Sequence, residues 1–422
     1  MSTALRTLPA SRALGLGSLA ERVALRALAG MTVGELELRL PEGSRRTFGA
    51  PGTGPSASVS VASGDLFRRL ARRPRLGLGE SYTAGDWHAD DLAGFFELLL
   101  LNIEAARRRR PLSTLAALER RRPHLPARNG LRRAERHVQY HYDIGNDLYR
   151  LFLDESLTYS CAYFEHPDET LEQAQENKCR RICEKLGLGP DDHVLEIGCG
   201  WGGFALHAAR ERGARVTGLT ISRGQHELAR ERVSAAGLDG QVEIRYEDYR
   251  RTEGRFTKIV SIEMLEAIGH GEYPTFFAAC DRLLAPGGLA FVQTIAIPDQ
   301  RYESYRRHTD WMRAYIFPGS LLPSLTALTT AMTRASSLVL YGLEDIGIHY
   351  ARTLSTWRER FLANVEAVRA LGYDTRFERM WEFYLAYCEA AFGTRSLHDL
   401  QLVLTRPCND RLPRYPSPRL TF

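Results

Sequence analysis

Hydrophobic positions along the 422-residue chain follow two periods, and the change from one to the other divides it. Near the N-terminus, Val33, Leu36, Leu38 and Leu40 in TVGELELRLPEG fall largely on alternate positions, and SASVSVAS follows a Gly/Pro loop. That spacing predicts two strands joined as a hairpin. Helical spacing takes over in GDLFRRLARR and in DDLAGFFELLLLN, the second opened by aspartates suited to a helix N-terminus. From about residue 137, short apolar runs alternate with amphipathic stretches. DETLEQAQENKCRRICEKLGL (168–188) reads as a helix capped by Asp168 or Thr170 and stopped by Gly187. HVLEIGCG, ARVTGLTIS, VEIRYEDY, KIVSIEMLEAIG and LAFVQTIAI read as strands, with FALHAARERG, QHELARERVSAAG and FFAACDRLLAPGG as helices. Strands alternating with helices predict an α/β fold with a parallel, doubly wound sheet, whose ligands sit at the carboxyl ends of the strands.

Charge sharpens the division. Eleven arginines stand against Glu104, Glu119 and Glu135 within residues 101–140, about +8 in a chain whose net charge is +5. RRRR and RRR sit there among Pro111, Pro123 and Pro126, which suits a linker. Three regions follow: a smaller α+β domain over 1–105, an arginine-rich linker over 106–136 and an α/β domain over 137–422. The linker is a solvated spacer or a surface for anionic lipid; residues 101–139 lack base-stacking aromatics, which argues against nucleic acid. No apolar run approaches the ~20 residues of a transmembrane helix, and no secretory signal is visible around Arg6, Arg12, Arg22 and Arg26. Seven scattered cysteines without C-x-x-C spacing argue against a zinc site or a disulfide framework and suit a reducing cytoplasm.

The strand HVLEI runs into Gly198, Gly200, Gly202 and Gly203, and three of these satisfy G-x-G-x-x-G. A P-loop would need G-K-[ST], and no lysine follows. A dinucleotide would want an acid at the end of the second strand, where LTIS (Leu219–Ser222) offers none. A tight turn that binds nothing is the plain alternative, although so many glycines suggest close approach of a ligand to the backbone. The E-x-G-x-G form, from Glu196 to Gly200, resembles motif I of the class I methyltransferases, which hold S-adenosylmethionine (SAM).

Longer strings narrow the resemblance. HYDIGNDLYRLFLDESLTYSCAYF (141–164), LEQAQENK (171–178), VLEIGCGWGGFA (194–205), LTISRGQ (219–225), YIFPGSLLPS (315–324), HYARTLSTWRERF (349–361) and MWEFYLAYCEAAF (380–392) closely resemble the cyclopropane fatty acid synthase family. The likeness runs over about residues 137–405 and is looser in the N-terminal region, where GLGESYTAGDW (77–87) is the best piece. It implies a Rossmann-like SAM methyltransferase domain with a smaller N-terminal domain for lipid contact and subunit pairing. The implied reaction adds a methylene group from SAM to the cis double bond of a phospholipid acyl chain and gives a cyclopropane fatty acid through a carbocation. Relatives that end in a methylene or methyl branch are the alternative; a non-catalytic lipid-binding protein is a further one, opposed by intact Cys161, Glu266 and Tyr350. The resemblance also implies a homodimer in the cytoplasm, peripherally attached to the inner face of the membrane. The arginine linker and the apolar stretch Leu92–Ile103 are candidates for docking there.

Residue by residue, the resemblance implies that a bound bicarbonate, acting as base, is held by Cys161 of YSCAYF, Glu266 of MLEAIG, the backbone of Ile295, and Tyr350 of HYARTL. Gln293 in FVQTIAI stands where cyclopropane synthases have histidine; glutamine donates a hydrogen bond but takes up no proton. For the cofactor it implies Tyr159 and Ser160 at the methionine end, Gly198 and Gly200 at the turn, Thr220 and Gln225 after the second strand, and Glu247 near the adenine. Ordinary roles compete: Cys161 as a small buried residue, Glu266 as an arginine's partner, Tyr350 as core, and Thr220 or Ser222 as a helix cap. The aromatic set Tyr305, Trp311, Tyr315, Phe317, Tyr350, Trp357 and Trp381 suits either a cation-stabilising pocket or plain packing.

Overall fold

The computed structural model describes residues 14–109 and 145–412, which fall into two compact units. The linker beyond Arg109 and the start of the 141–164 string lie outside the described residues; Arg107–Arg109 end the helix Leu92–Arg109.

One unit takes in the described part of Met1–Arg120 together with Tyr373–Ala390. Its sheet has the order β2-β1-β3-β4, built from β1 (Gly34–Arg39), β2 (Arg45–Ala50), β3 (Ser56–Val61) and β4 (Trp87–Ala89). The two strands expected to form a hairpin instead lie parallel, Leu36 opposite Ala57 and Leu38 opposite Val59. β1 makes its hairpin with β2, Leu36 opposite Phe48. The physical reason is that β2, RRTFGA, is an outer strand with mostly exposed side chains, so it lacks the apolar alternation that reveals a strand. The helix Leu92–Arg109 packs on this sheet, burying Leu92, Phe95, Phe96, Leu98 and Leu100. Its apolar face is therefore inside the unit, which removes it as a membrane-docking surface. The return of chain at Tyr373–Ala390 is not anticipated by the sequence. It is tied in by Tyr82 donating to Glu382 at 2.7 Å and by Arg379 donating to the carbonyls of Tyr82 and Trp87.

The other unit takes in the described part of Arg121–Gly372 and Ala391–Phe422. Its strands are β5 (His193–Ile197), β6 (Arg215–Thr220), β7 (Val242–Tyr246), β8 (Phe256–Ile262), β9 (Leu284–Ala296), β10 (Val339–Asp345) and β11 (His398–Thr405). The order is β10-β11-β9-β8-β5-β6-β7, parallel from β9 to β7, with β11 antiparallel to both its neighbours. Alternate residues feed cores on the two faces: Leu195 and Ile197 belong to one buried cluster, Val194 and Val216 to the other. A sheet covered on both faces reads as near-continuous apolar runs. The helix Leu171–Leu186 opens with Thr170 and Gln173 in a capping box and closes at Gly187 in the left-handed conformation. The strand order reverses between β5 and β8, which run parallel, and that is the crevice where such sheets take ligands. Among the described residues no helix is long and apolar enough to cross a membrane.

Candidate active site

The glycine turn shows why the sequence spends four glycines after β5. Gly198 has φ +84°, and a Cβ there would lie 2.9 Å from Met264 Cγ. Gly200 has φ +55° and would meet nothing within 4 Å, because it faces an open cleft. Tyr159, Ser160, Gly198, Gly200, Thr220, Gln225 and Glu247, all expected from the sequence to serve a cofactor, line this one cleft. Thr220 and Gln225 are bonded to each other at 2.8 Å. Ser222 caps the helix Arg223–Ala235, which is the ordinary role considered for it. Tyr159 packs against Tyr149 and Trp357, with ring centres 5.1 and 5.2 Å away.

Two buried ionisable groups back the cleft. Lys178, fully buried, donates from Nζ to Ser160 Oγ at 2.7 Å. Glu196 is buried with Oε2 unpartnered; burial pushes its carboxyl up to about 8, with Lys178 opposing.

Five residues were expected to do the chemistry, and three of them converge on one the sequence did not single out. The Cys161 N–H and Gln293 Nε2 donate to Glu263 Oε1 at 2.8 and 2.9 Å. Tyr350 OH donates to Glu263 Oε2 at 2.7 Å. Gln293 Nε2 also reaches Asp399 Oδ2 at 3.0 Å. The other two pair separately: Glu266 Oε1 accepts from the Ile295 N–H and from Thr294 Oγ1. Glu263 itself lines the same cleft as Gly198 and Gly200, immediately after β8. Its φ of +48° is unusual for a side chain of this kind and costs about 1 kcal/mol.

Electrostatics follow from crowding carboxylates in a dry place. Burial pushes Glu263 up, against three donors that favour its charged form. Burial and then the charge of Glu263 push Glu266 up to about 8. Asp399 is raised well above the usual carboxylate range by burial, then by both glutamates. Burial likewise raises the Cys161 thiol, so this residue serves the site through its backbone N–H.

The orientation of Gln293 is set from outside. Lys185, an ammonium with donors alone, bonds Gln401 Oε1 and Glu344 Oε2. Gln401 therefore presents its Nε2, which donates to Gln293 Oε1 at 3.0 Å. Gln293 is left to point its own amide N–H groups at Glu263 and Asp399.

A sequence profile of the mycolic acid cyclopropane synthetase family matches residues 129–402. The chain belongs to this family. It is 39% identical over 353 residues to the tuberculostearic acid methyltransferase of Mycobacterium tuberculosis, covering 81% of each chain. It is 38% identical over 369 residues to the cyclopropane-fatty-acyl-phospholipid synthase of Escherichia coli K12, covering 86% of this chain and 91% of that one. Among solved structures, a cyclopropane synthase from M. tuberculosis matches with a TM-score of 0.60 at 29% identity, over 64% of this chain and 97% of that one. A mycolic acid cyclopropane synthase bound to S-adenosylhomocysteine matches with a TM-score of 0.59 at 30% identity, over 64% of this chain and 97% of that one. The fold is accordingly that of a class I SAM methyltransferase, the chain is a SAM-dependent methyltransferase, and its cofactor is SAM.

The open space at Gly200 gives a direct test of the cleft. Gly200→Ala should cost about 1–2 kcal/mol of stability through its left-handed backbone while weakening SAM tenfold or more, measured by isothermal titration. An unchanged affinity would mean that the cofactor does not pass this face of the turn.

Four functional candidates escaped the sequence reading: Glu263, Lys178, Asp399 and the pair role of Thr294. A signal existed for two. Glu263 is the first carboxylate after an apolar strand, at the strand's carboxyl end, and Asp399 is a carboxylate inside the apolar run of β11.

Proposed function

We propose that this protein methylates the double bond of a cis-unsaturated phospholipid acyl chain with SAM and closes the product to a cyclopropane ring. The observation that carries this reading is a half-buried carboxylate, held by three donors, in the wall of the cofactor cleft. A π bond is a weak nucleophile, so reaction depends on holding it against the sulfonium methyl. Methyl transfer leaves a carbocation, which aromatic faces stabilise and water would quench. Tyr159, which lines the cleft, supplies such a face, backed by Trp357 with ring centres 5.2 Å apart. A base in the cofactor wall faces the methyl just delivered, and loss of a proton from that methyl closes the ring.

A second reading ends in a methylene or methyl branch, by a hydride shift and loss of a proton from a neighbouring carbon. Gln293 in place of histidine supports it, as does the similarity to a protein named for a methyltransferase activity. Substrate access from the inner face of the membrane and assembly as a homodimer belong to this proposal; the name of the E. coli relative, a fatty-acyl-phospholipid synthase, supports the membrane lipid. The bicarbonate implied by the resemblance fits poorly. Three of the groups that would hold it, the Cys161 N–H, Tyr350 OH and Gln293 Nε2, are engaged by Glu263.

The test is incubation with SAM and vesicles of a monounsaturated phospholipid, followed by proton NMR of the released fatty acids, because ring and methylene branch have equal mass. Upfield cyclopropane protons are expected. Vinylidene protons would move the protein to the second reading, and no modified lipid from either acidic or neutral vesicles would overturn both.

A further inference from the structure

We infer that Glu263 is the base of this enzyme, a carboxylate tethered to the chain in the place a free oxyanion would otherwise take. The inference rests on the lipid-methylation reading and names the group that completes it.

Three observations carry it. The donors that the family resemblance assigns to an anion from outside meet on the Glu263 carboxylate, Oε1 taking two of them and Oε2 one. A carboxylate has about four acceptor sites, so one remains on Oε2 for an incoming proton. The backbone is built to deliver the group: Glu263 adopts φ +48°, and its N–H is fixed to the Gln293 carbonyl at 2.8 Å. Finally, the residue lines the same cleft as Gly198 and Gly200, within which the methyl is transferred.

The glutamine at position 293 then has a reason. A resident carboxylate wants a neutral donor that holds it without competing for the proton, and an amide is such a group. The bond from Lys185 to Gln401 and on to Gln293 keeps the amide N–H groups facing Glu263, so Gln293 is a positioning residue. A second anion in the cradle would meet both a like charge and donors already used.

The step balances. The double-bond pair attacks the sulfonium methyl, the C–S pair stays on sulfur to give S-adenosylhomocysteine, and the adjacent carbon becomes the cation. Glu263 Oε2 removes a proton from the new methyl, and the freed C–H pair closes the ring. The glutamic acid so formed returns its proton to water before the next turnover.

Four measurements test this together. Wild-type enzyme, assayed on monounsaturated phospholipid vesicles in carbonate-free buffer, should run within twofold of its rate in millimolar bicarbonate. Glu263→Gln should bind SAM normally and lose about 100-fold or more of its lipid product. Glu263→Gly, whose backbone suits the left-handed conformation, should be equally inactive until bicarbonate is added and then regain at least about tenfold. Carbon-13 bicarbonate binding, read by NMR with S-adenosylhomocysteine present, should be saturable for Glu263→Gly and absent for wild type. Saturable binding to wild type, severalfold stimulation of wild type by bicarbonate, or near-normal product from Glu263→Gln would each overturn the inference. The expected binding pattern with no lipid product from wild type would uphold Glu263 as occupant of the cradle and strike the acyl-chain reading alone.

Discussion

Lys178→Met should lower the stability of the folded protein by about 3–5 kcal/mol at neutral pH. Against a total of roughly 5–15 kcal/mol for an ordinary domain, such a loss would dominate the behaviour of the variant. Lys178 has no exposed surface, and its ammonium is bonded to Ser160 Oγ. Its charge opposes the upward shift of Glu196, Glu263 and Asp399, so it is the cation around which these buried acids are arranged. Methionine replaces the length of the side chain but leaves the carboxylates without that attraction and takes a hydrogen-bond donor from Ser160. The measurement is urea unfolding of both proteins without cofactor at several pH values. If charge is the cause, the deficit is largest at alkaline pH, above the value of about 8 to which Glu196 is raised, and shrinks as pH falls below it, where protonated carboxyls need no partner. A deficit equal at acid and alkaline pH would assign the loss to packing.

How much of this was readable in advance depends on what made each element. β5, β8 and β9 are largely apolar runs and β7 alternates apolar with charged residues, while helix Leu171–Leu186 carries its caps in Thr170, Gln173 and Gly187, so local physics announced them. β2 is polar and takes its identity from pairing with β1, which no window of its own sequence shows. The return of Tyr373–Ala390 to the N-terminal unit is likewise a property of long-range packing around Phe96 and Tyr82.

The site divides the same way. The residues expected to serve a cofactor were readable as a group that lines one cleft, because strand ends and glycines are local signals. Cys161, Gln293 and Tyr350 were named as holders of an anion, and they do surround a carboxylate. That this carboxylate belongs to the chain was hidden, because it depends on one left-handed residue turning its side chain inward. Glu266 was legible as a residue but not as a partner of Ile295 and Thr294 across the turn.

Glu266→Gln should remove part of the pH dependence of folding. The carboxyl of Glu266 is pushed up to about 8 by burial and by the charge of Glu263, whereas an unfolded glutamate titrates near about 4.3. Below the unfolded value both states hold the proton and the full contribution to stability is present. Between the two values the folded state keeps a proton that the unfolded state has released, so stability falls as pH rises, by up to about 1.4 kcal/mol per unit. The contribution is lost once pH passes the folded value. Glu196, also raised to about 8, adds to the slope over the same interval. Glutamine keeps the Oε1 acceptor for Ile295 and Thr294 and places a neutral amide where Oε2 is buried without a partner. Residue 266 retains some surface on the side of the turn, but that oxygen is closed to solvent, so the full shift applies to it. Urea midpoints across the interval from about pH 5 to about pH 9 should fall less steeply for the variant than for wild type, the two curves separating in the variant's favour as pH rises. Parallel curves would mean that Glu266 ionises as an exposed glutamate does, and that the carboxyl group beside Glu263 carries a full charge at neutral pH.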